Sequence, residues 1–325
     1  MADAIVSRLG QINQAGAADA LFLKLYAGEV LAAMERTCVM TAERHFIRSI
    51  SQGKSSQFPR TGYATAKYHT PGQELLGSKI SHGEVVITID DLLVTDSFIA
   101  NWDEAVNHYD VRSIYTNEMG EALANAMDKH ILQTGILGAR SSNPITSLPG
   151  GTKITTATVG APASADYKNN GAHLAAALFM AARVMDENNI PQEGRTAYVR
   201  PAQYYNLAST TQNINQDWRG LGSYSDGKII RIAGIEIVKT NNLPSTAITA
   251  GSVDAGTGNK YQVDATNTQC LIAHKSALAT LKLMDLGLES EYQVSRQGTL
   301  MVAKLAVAHG VLRPEGLIEV SQSAT

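Results

Sequence analysis

The residues best placed to do chemistry are Gly53-Lys54-Ser55, inside "ISQGKSSQFPR", which spell the end of a phosphate-binding loop. Such a loop needs a glycine five positions before the Gly-Lys pair, so that the backbone can curl and aim its amides at phosphate. Arg48 stands there instead, and its Cβ and charge spoil both the turn and the cradle. "GLGSYSDG" fails the dinucleotide pattern because Ser225 occupies the third glycine position. "DAGTGNK" lacks the carboxylates of a calcium loop. The histidines are scattered without zinc-ligand spacing, and His108, between Asn107 and Tyr109, is a lone candidate base. There is no Gly-x-Ser-x-Gly elbow. Cys38 and Cys270, the only cysteines, show neither a Cys-x-x-Cys pattern nor a nucleophile signature. No catalytic, cofactor-binding or metal-binding set emerges, and the chain reads as a non-enzyme with no cofactor.

The remaining question is what 325 residues with 44% hydrophobic and 18% charged side chains build. The length predicts two substructures or one core with long extensions. A formal charge of −3 names no partner. The start, "MADAIVSRLGQINQAGAADA", has no basic head followed by an apolar block, so no secretory signal is expected. The longest apolar stretch, "LAAALFMAARVM", is too short to span a bilayer and is interrupted by Arg183, so no membrane contact is expected either.

Periodicity supplies the elements. Residues 1–18 read as an arm, and Phe22, Leu25, Tyr26, Val30 and Met34 then share one helical face that must dock on the chain's own core or on a neighbour. From Arg44 to Gln73 there is no acidic residue, while Arg44, Arg48, Lys54, Arg60 and Lys67 are basic. "GYATAKYHT" alternates like a strand and "VVITI" reads as one, which predicts a long projecting β-hairpin. From Asp110, a plausible N-cap, Val111, Tyr115, Met119, Ala122, Ala126 and His130 predict one long helix reaching about Leu137. Further on, "GAHLAAALFMAARVMDENNIP" predicts a helix. "RTAYVRPAQYYNLAS" predicts a strand entering a helix at Pro201, "GKIIRIAGIEIVK" paired strands turning at Gly234, and the end a long strand, a turn at Arg313–Gly316 and a closing strand. The fold class is α+β.

Charge is segregated along the chain. Asp90, Asp91, Asp96, Asp103, Glu104, Asp110, Glu118, Glu121 and Asp128 follow the basic hairpin, against the single base Arg112. A two-stranded ribbon is marginal alone in water, so this hairpin should lie on an acidic helix, its own or a neighbour's. The candidate subunit contacts are Lys54, Phe58, Arg60, Lys67 and Tyr68 on the hairpin, and Asp110 and Glu118 on the helix. A nucleic-acid-binding arm, with Phe58, Tyr63 and Tyr68 stacking on bases, is the alternative, and an uncharacterised α+β enzyme is the other.

"ALFLKLYAGEVLAAMERTCVMTAERHFIRSISQGKSSQFPRTG", "VITIDDLLVTDSFIANWDEAVNHYDVRSIYTNEMGEALA" and "AKLAVAHGVLRPEG" together resemble the major capsid proteins of short-tailed bacteriophages of the T-seven group, with "RSISQGKSSQFP" and "NHYDVRS" the specific runs. The resemblance implies the Hong Kong 97 capsid fold: an N-terminal arm at 1–44, an extended hairpin loop at 45–88, a peripheral domain with its spine helix at 89–140, an axial domain at 141–290, and a return to the peripheral domain at 291–325. It also implies self-assembly into pentamers and hexamers of an icosahedral shell, a scaffolding protein, a portal protein, and packaged double-stranded DNA in weak non-specific contact. The expected location is the virion, assembled in the bacterial host cytoplasm.

Overall fold

The structure, a computed structural model, describes residues 39–74, 77–106, 111–145, 147–158, 161, 165–210 and 231–322. The N-terminal arm, the helix expected after residue 19, His108, Asp110 and Cys38 lie outside the described residues. The chain divides into two compact units. The first contains the described residues within 91–127 and 283–307; the second contains those within 39–90, 128–282 and 308–322.

The hairpin enters through β1 (Phe46–Ser49) and is formed by β2 (Ser55–Thr61) and β3 (His82–Thr88), antiparallel with Ser55 opposite Thr88 and Thr61 opposite His82. "GYATAKYHT" is not a strand. Its alternation is of small and polar residues with no strand opposite, and from Tyr63 to Gln73 every residue is exposed. A strand's backbone groups need a ladder, and among the described residues no strand pairs with this segment. "VVITI" does fall in β3, up to Thr88.

In the first unit β4 (Leu93–Ala100) leads into the short helix α1 (Asn101–Val106), and the long helix α2 (Val111–Ala139) begins. Further along the chain come β5 (Thr152–Ile154), α3 (Gly171–Glu187), β6 (Arg195–Val199), α4 (Pro201–Ala208), β7 (Arg231–Ile232), β8 (Ile235–Lys239), β9 (Thr268–His274), β10 (Leu278–Gln293), β11 (Gly298–Val311) and β12 (Leu317–Ser321). β4 pairs antiparallel with β11, setting Leu93 opposite Leu305 and Ile99 opposite Thr299. Met119 and Leu123, four apart on α2, pack there with Ile99, Met301 and Ala303. The 29 residues of α2 bear out the expected long helix. From Asp128 onward it is buried nearly all round, including Ile131, Leu132 and Ile136, as a helix inside a core must be.

The second unit is built on a six-stranded sheet in the order β5-β12-β9-β6-β8-β7. Every residue of β6, β9 and β12 is buried, so these strands are covered on both faces. β7 and β8 join through Ala233 and Gly234 at φ 51° and 76°, the left-handed pair that a tight hairpin needs. Asn170 caps α3, its Oδ1 accepting from the amides of Ala172 at 2.9 Å and His173 at 3.4 Å. Leu174, Leu178, Ala181 and Met185 carry the apolar stripe of α3 into the core. The closing strand β12, which the resemblance puts in the returning segment 291–325, pairs with β9 and β5 in this sheet.

Candidate subunit interface

The hairpin base is fixed by arginines. Arg60 Nη2 donates to both carboxylate oxygens of Glu315, at 2.9 and 3.0 Å, and Nη1 to Asn143 Oδ1 at 3.4 Å. Asn143 Nδ2 donates to the same carboxylate at 2.9 Å. The Arg60 and Glu315 side chains are only 9% and 8% exposed. Phe58 is buried on the same strand, edge-to-face with Phe46 at 6.1 Å, with the Arg48 guanidinium 5.1 Å from its ring centre. Arg48 also donates to the Gln57 carbonyl at 3.3 Å, and Arg44 pairs with Glu236 at 2.9 Å.

The seven candidate contacts therefore separate. Arg60 and Phe58 are already partnered inside the chain: the guanidinium fork matches a carboxylate, and the ring fills an apolar slot. Lys54, Lys67 and Tyr68 are exposed, Tyr68 fully. Neither lysine forms an ion pair with a described residue. Glu118 is half-buried on α2, and Asp110 lies outside the described residues. Beyond Thr61, among the described residues, the two arms stay joined by Gly62 N to Ser81 O at 2.7 Å, before the exposed tip with Tyr63 and Lys67. Gly62 fits closely there: a Cβ would lie 3.2 Å from the Ser81 carbonyl and 2.4 Å from Ser147 Oγ, which would have to turn away.

Several titratable groups displaced from their usual ranges lie in the packed interior. Burial holds His45, His130, His274 and His309 below the ordinary imidazole range. His130 stacks on Tyr261 at 4.5 Å, and His309 Nδ1 lies 3.0 Å from Thr280 Oγ1. The Tyr261 hydroxyl donates to Asp90 at the foot of β3, which Lys260 also binds at 2.9 Å. Asp128 is pushed up by burial, although its carboxylate accepts from Asn242 Nδ2 at 2.6 Å and from the Met40 amide at 2.7 Å. Cys270 is fully buried with its thiol pushed up by desolvation, the state of an inert packing residue. Sequence reading missed this polar core because its members come from positions 45, 90, 128, 130, 261 and 309, with no shared motif.

A base-anchored hairpin, one long helix and a six-stranded mixed sheet define a phage capsid fold, and solved structures bear this out. The chain is similar to the capsid protein of cyanophage P-SCSP1u, with TM-score 0.83, 42% identity and full coverage of both chains. It also matches the mature capsid of bacteriophage PhiM1, at TM-score 0.78 and 18% identity over 93% of this chain and 92% of that one. The Gp10A-like family, described as major capsid protein, matches residues 57–321. The major capsid protein of Escherichia phage T7 is 38% identical over 91% of this chain and 90% of its own length, and that of Enterobacteria phage T3 is 36% identical over the same shares. The chain belongs to the Gp10A-like family of major capsid proteins.

Proposed function

We propose that this chain forms the wall of an icosahedral shell around double-stranded DNA, as pentamers and hexamers in which each hairpin tip lies across an adjacent subunit. The observation that carries this reading is the asymmetry of the hairpin. Its base is tied into the chain through Arg60 and Phe58, while the tip from Tyr63 onward is exposed and keeps Lys67 and Tyr68 unpartnered among the described residues. A projecting polar ribbon gains little by standing in water, whereas many such small contacts repeated around a closed shell sum to a stable wall.

We further propose, as the resemblance implies, a scaffolding protein that guides assembly in the host cytoplasm, a portal at one vertex, and DNA touched weakly. A nearly neutral chain, formal charge −3, fits a wall that does not neutralise many phosphates. The arginines of the hairpin are committed inside the chain, which counts against a dedicated nucleic-acid arm. Limited trypsin digestion tests the tip contact: cleavage after Lys67 and Lys79 should be rapid in free subunits and suppressed in assembled shells. Equal cleavage in both would contradict it.

A further inference from the structure

In the sheet ordered β1-β10-β11-β4, β10 has β11 on one side and β1 on the other. Among the described residues β1 covers β10 from Ala279 to Lys282 and no further, the Ile50 amide donating to the Lys282 carbonyl at 2.8 Å as the last bond. A residue's N–H and C=O point to the same side of a strand, and the side alternates along it. The backbone groups of Met284, Leu286, Leu288 and Ser290 therefore continue on the uncovered edge. The strand is also open above and below: from Met284 to Tyr292 every residue but Gly287 is exposed. Its two faces differ. Met284, Leu286 and Leu288 stand on one, and Asp285, Glu289 and Glu291 on the other. Lys304 of β11 pairs with Glu289, whereas Glu291 has no ion-pair partner among the described residues. A long, partly apolar edge of this kind is a template for further pairing.

The hairpin tip offers the complementary half. "GYATAKYHT" alternates like a strand, is exposed from Tyr63 onward and pairs with no strand among the described residues. Pro71 ends it, having no N–H to give to a ladder. Charge selects the same match: no acidic residue occurs from Arg44 to Gln73, and no basic one from Leu283 to Gln293. We propose that residues 63–70 of one copy add as a further strand to the open edge of β10, at residues 284–292, in an adjacent copy. This rests on the reading that hairpin tips cross to adjacent subunits, and it names where they land and through which bonds. Ala64, Ala66 and Tyr68 then extend the apolar face of β10, while Thr65, Lys67 and His69 lie on its acidic face. Backbone hydrogen bonds supply the attachment and the side chains its selectivity.

Hydrogen–deuterium exchange of the full chain, free and in assembled shells, tests this. Amides in both 63–70 and 284–292 should exchange at least about tenfold more slowly in shells than in free subunits. Leu288→Pro removes one donor of the open edge and none of the ladder with β11, and its shells should lose the slowing at 63–70. If that variant does not fold or assemble, Glu291→Lys, at an exposed side chain, decides: it should lessen the slowing at 63–70 without altering the melting temperature of the free chain. Shells in which 63–70 slows but 284–292 does not would put the tip elsewhere on the neighbour, overturning this assignment and leaving the shell reading in place. Slow exchange of 284–292 already in the free chain would mean that the edge is covered within one copy, and would also overturn it. A chain that forms no shells would contradict the shell reading itself and this assignment with it.

Discussion

Arg60, on the outer half of β2, and Glu315, in the turn before β12, form a two-pronged ion pair across 255 residues of sequence, with both side chains at least nine-tenths withdrawn from water. The pair fastens the hairpin base to the start of the closing strand. Removing one partner leaves a buried charge with only the Asn143 side-chain amide to answer it. Glu315→Gln or Arg60→Met should therefore lower unfolding free energy by about 3–5 kcal/mol, measured by urea denaturation of the unassembled chain. A change below about 1 kcal/mol would mean that the pair is solvated in solution.

Lys54 and Lys67 have no ion-pair partner among the described residues, so their charges are free to meet a neighbour. The double change Lys54→Glu, Lys67→Glu should leave the melting temperature of the free chain nearly unchanged, as exposed charges do. It should reduce the yield of closed shells severalfold in sedimentation assays. Full assembly by this variant would remove these lysines from the subunit contact.

The interior histidines make stability depend on acidity. His45, His130, His274 and His309 sit below the ordinary range because burial disfavours their charged forms. The unfolded chain, whose histidines titrate near about 6.5, then binds more protons than the folded one. Their contribution is fully present above about pH 6.5 and is lost as pH falls from there toward the folded values. Asp128, raised by burial, acts in the opposite sense: its folded form holds the proton more tightly, so its penalty fades as pH falls through the folded value. The melting temperature should drop between pH 7 and pH 5.5. His309→Gln, which removes the most deeply buried imidazole, should lessen that slope even if it lowers stability at pH 7.

Gly138 lies in α2 where a Cβ would come within 2.5 Å of Leu317 Cδ1 and 2.6 Å of Val311 Cγ2. On an exposed helix Gly→Ala stabilises by about 1 kcal/mol. Here overpacking should prevail and Gly138→Ala should destabilise by about 1–3 kcal/mol, read from chemical denaturation.

How much of this could be read from the letters depends on how local each cause is. The helix at 111–139 was legible because its apolar spacing is carried within one segment, as were the turn at Gly234 and the entry of Pro201 into a helix. The hairpin was legible from the absence of acids and the "VVITI" run, but its extent was not. "GYATAKYHT" has the alternation of a strand without a partner for its ladder. The fate of the basic residues was illegible because Arg60 and Lys67 look alike as charges. Only the fold brings Glu315 to one and leaves the other exposed. The polar core around His309 is likewise assembled from distant segments.

Electron microscopy of the purified chain, expressed with and without a candidate scaffolding protein, tests the central claim most directly. The account predicts closed shells or rings of five and six subunits in at least one of the two preparations. Monodisperse single subunits in both would contradict it.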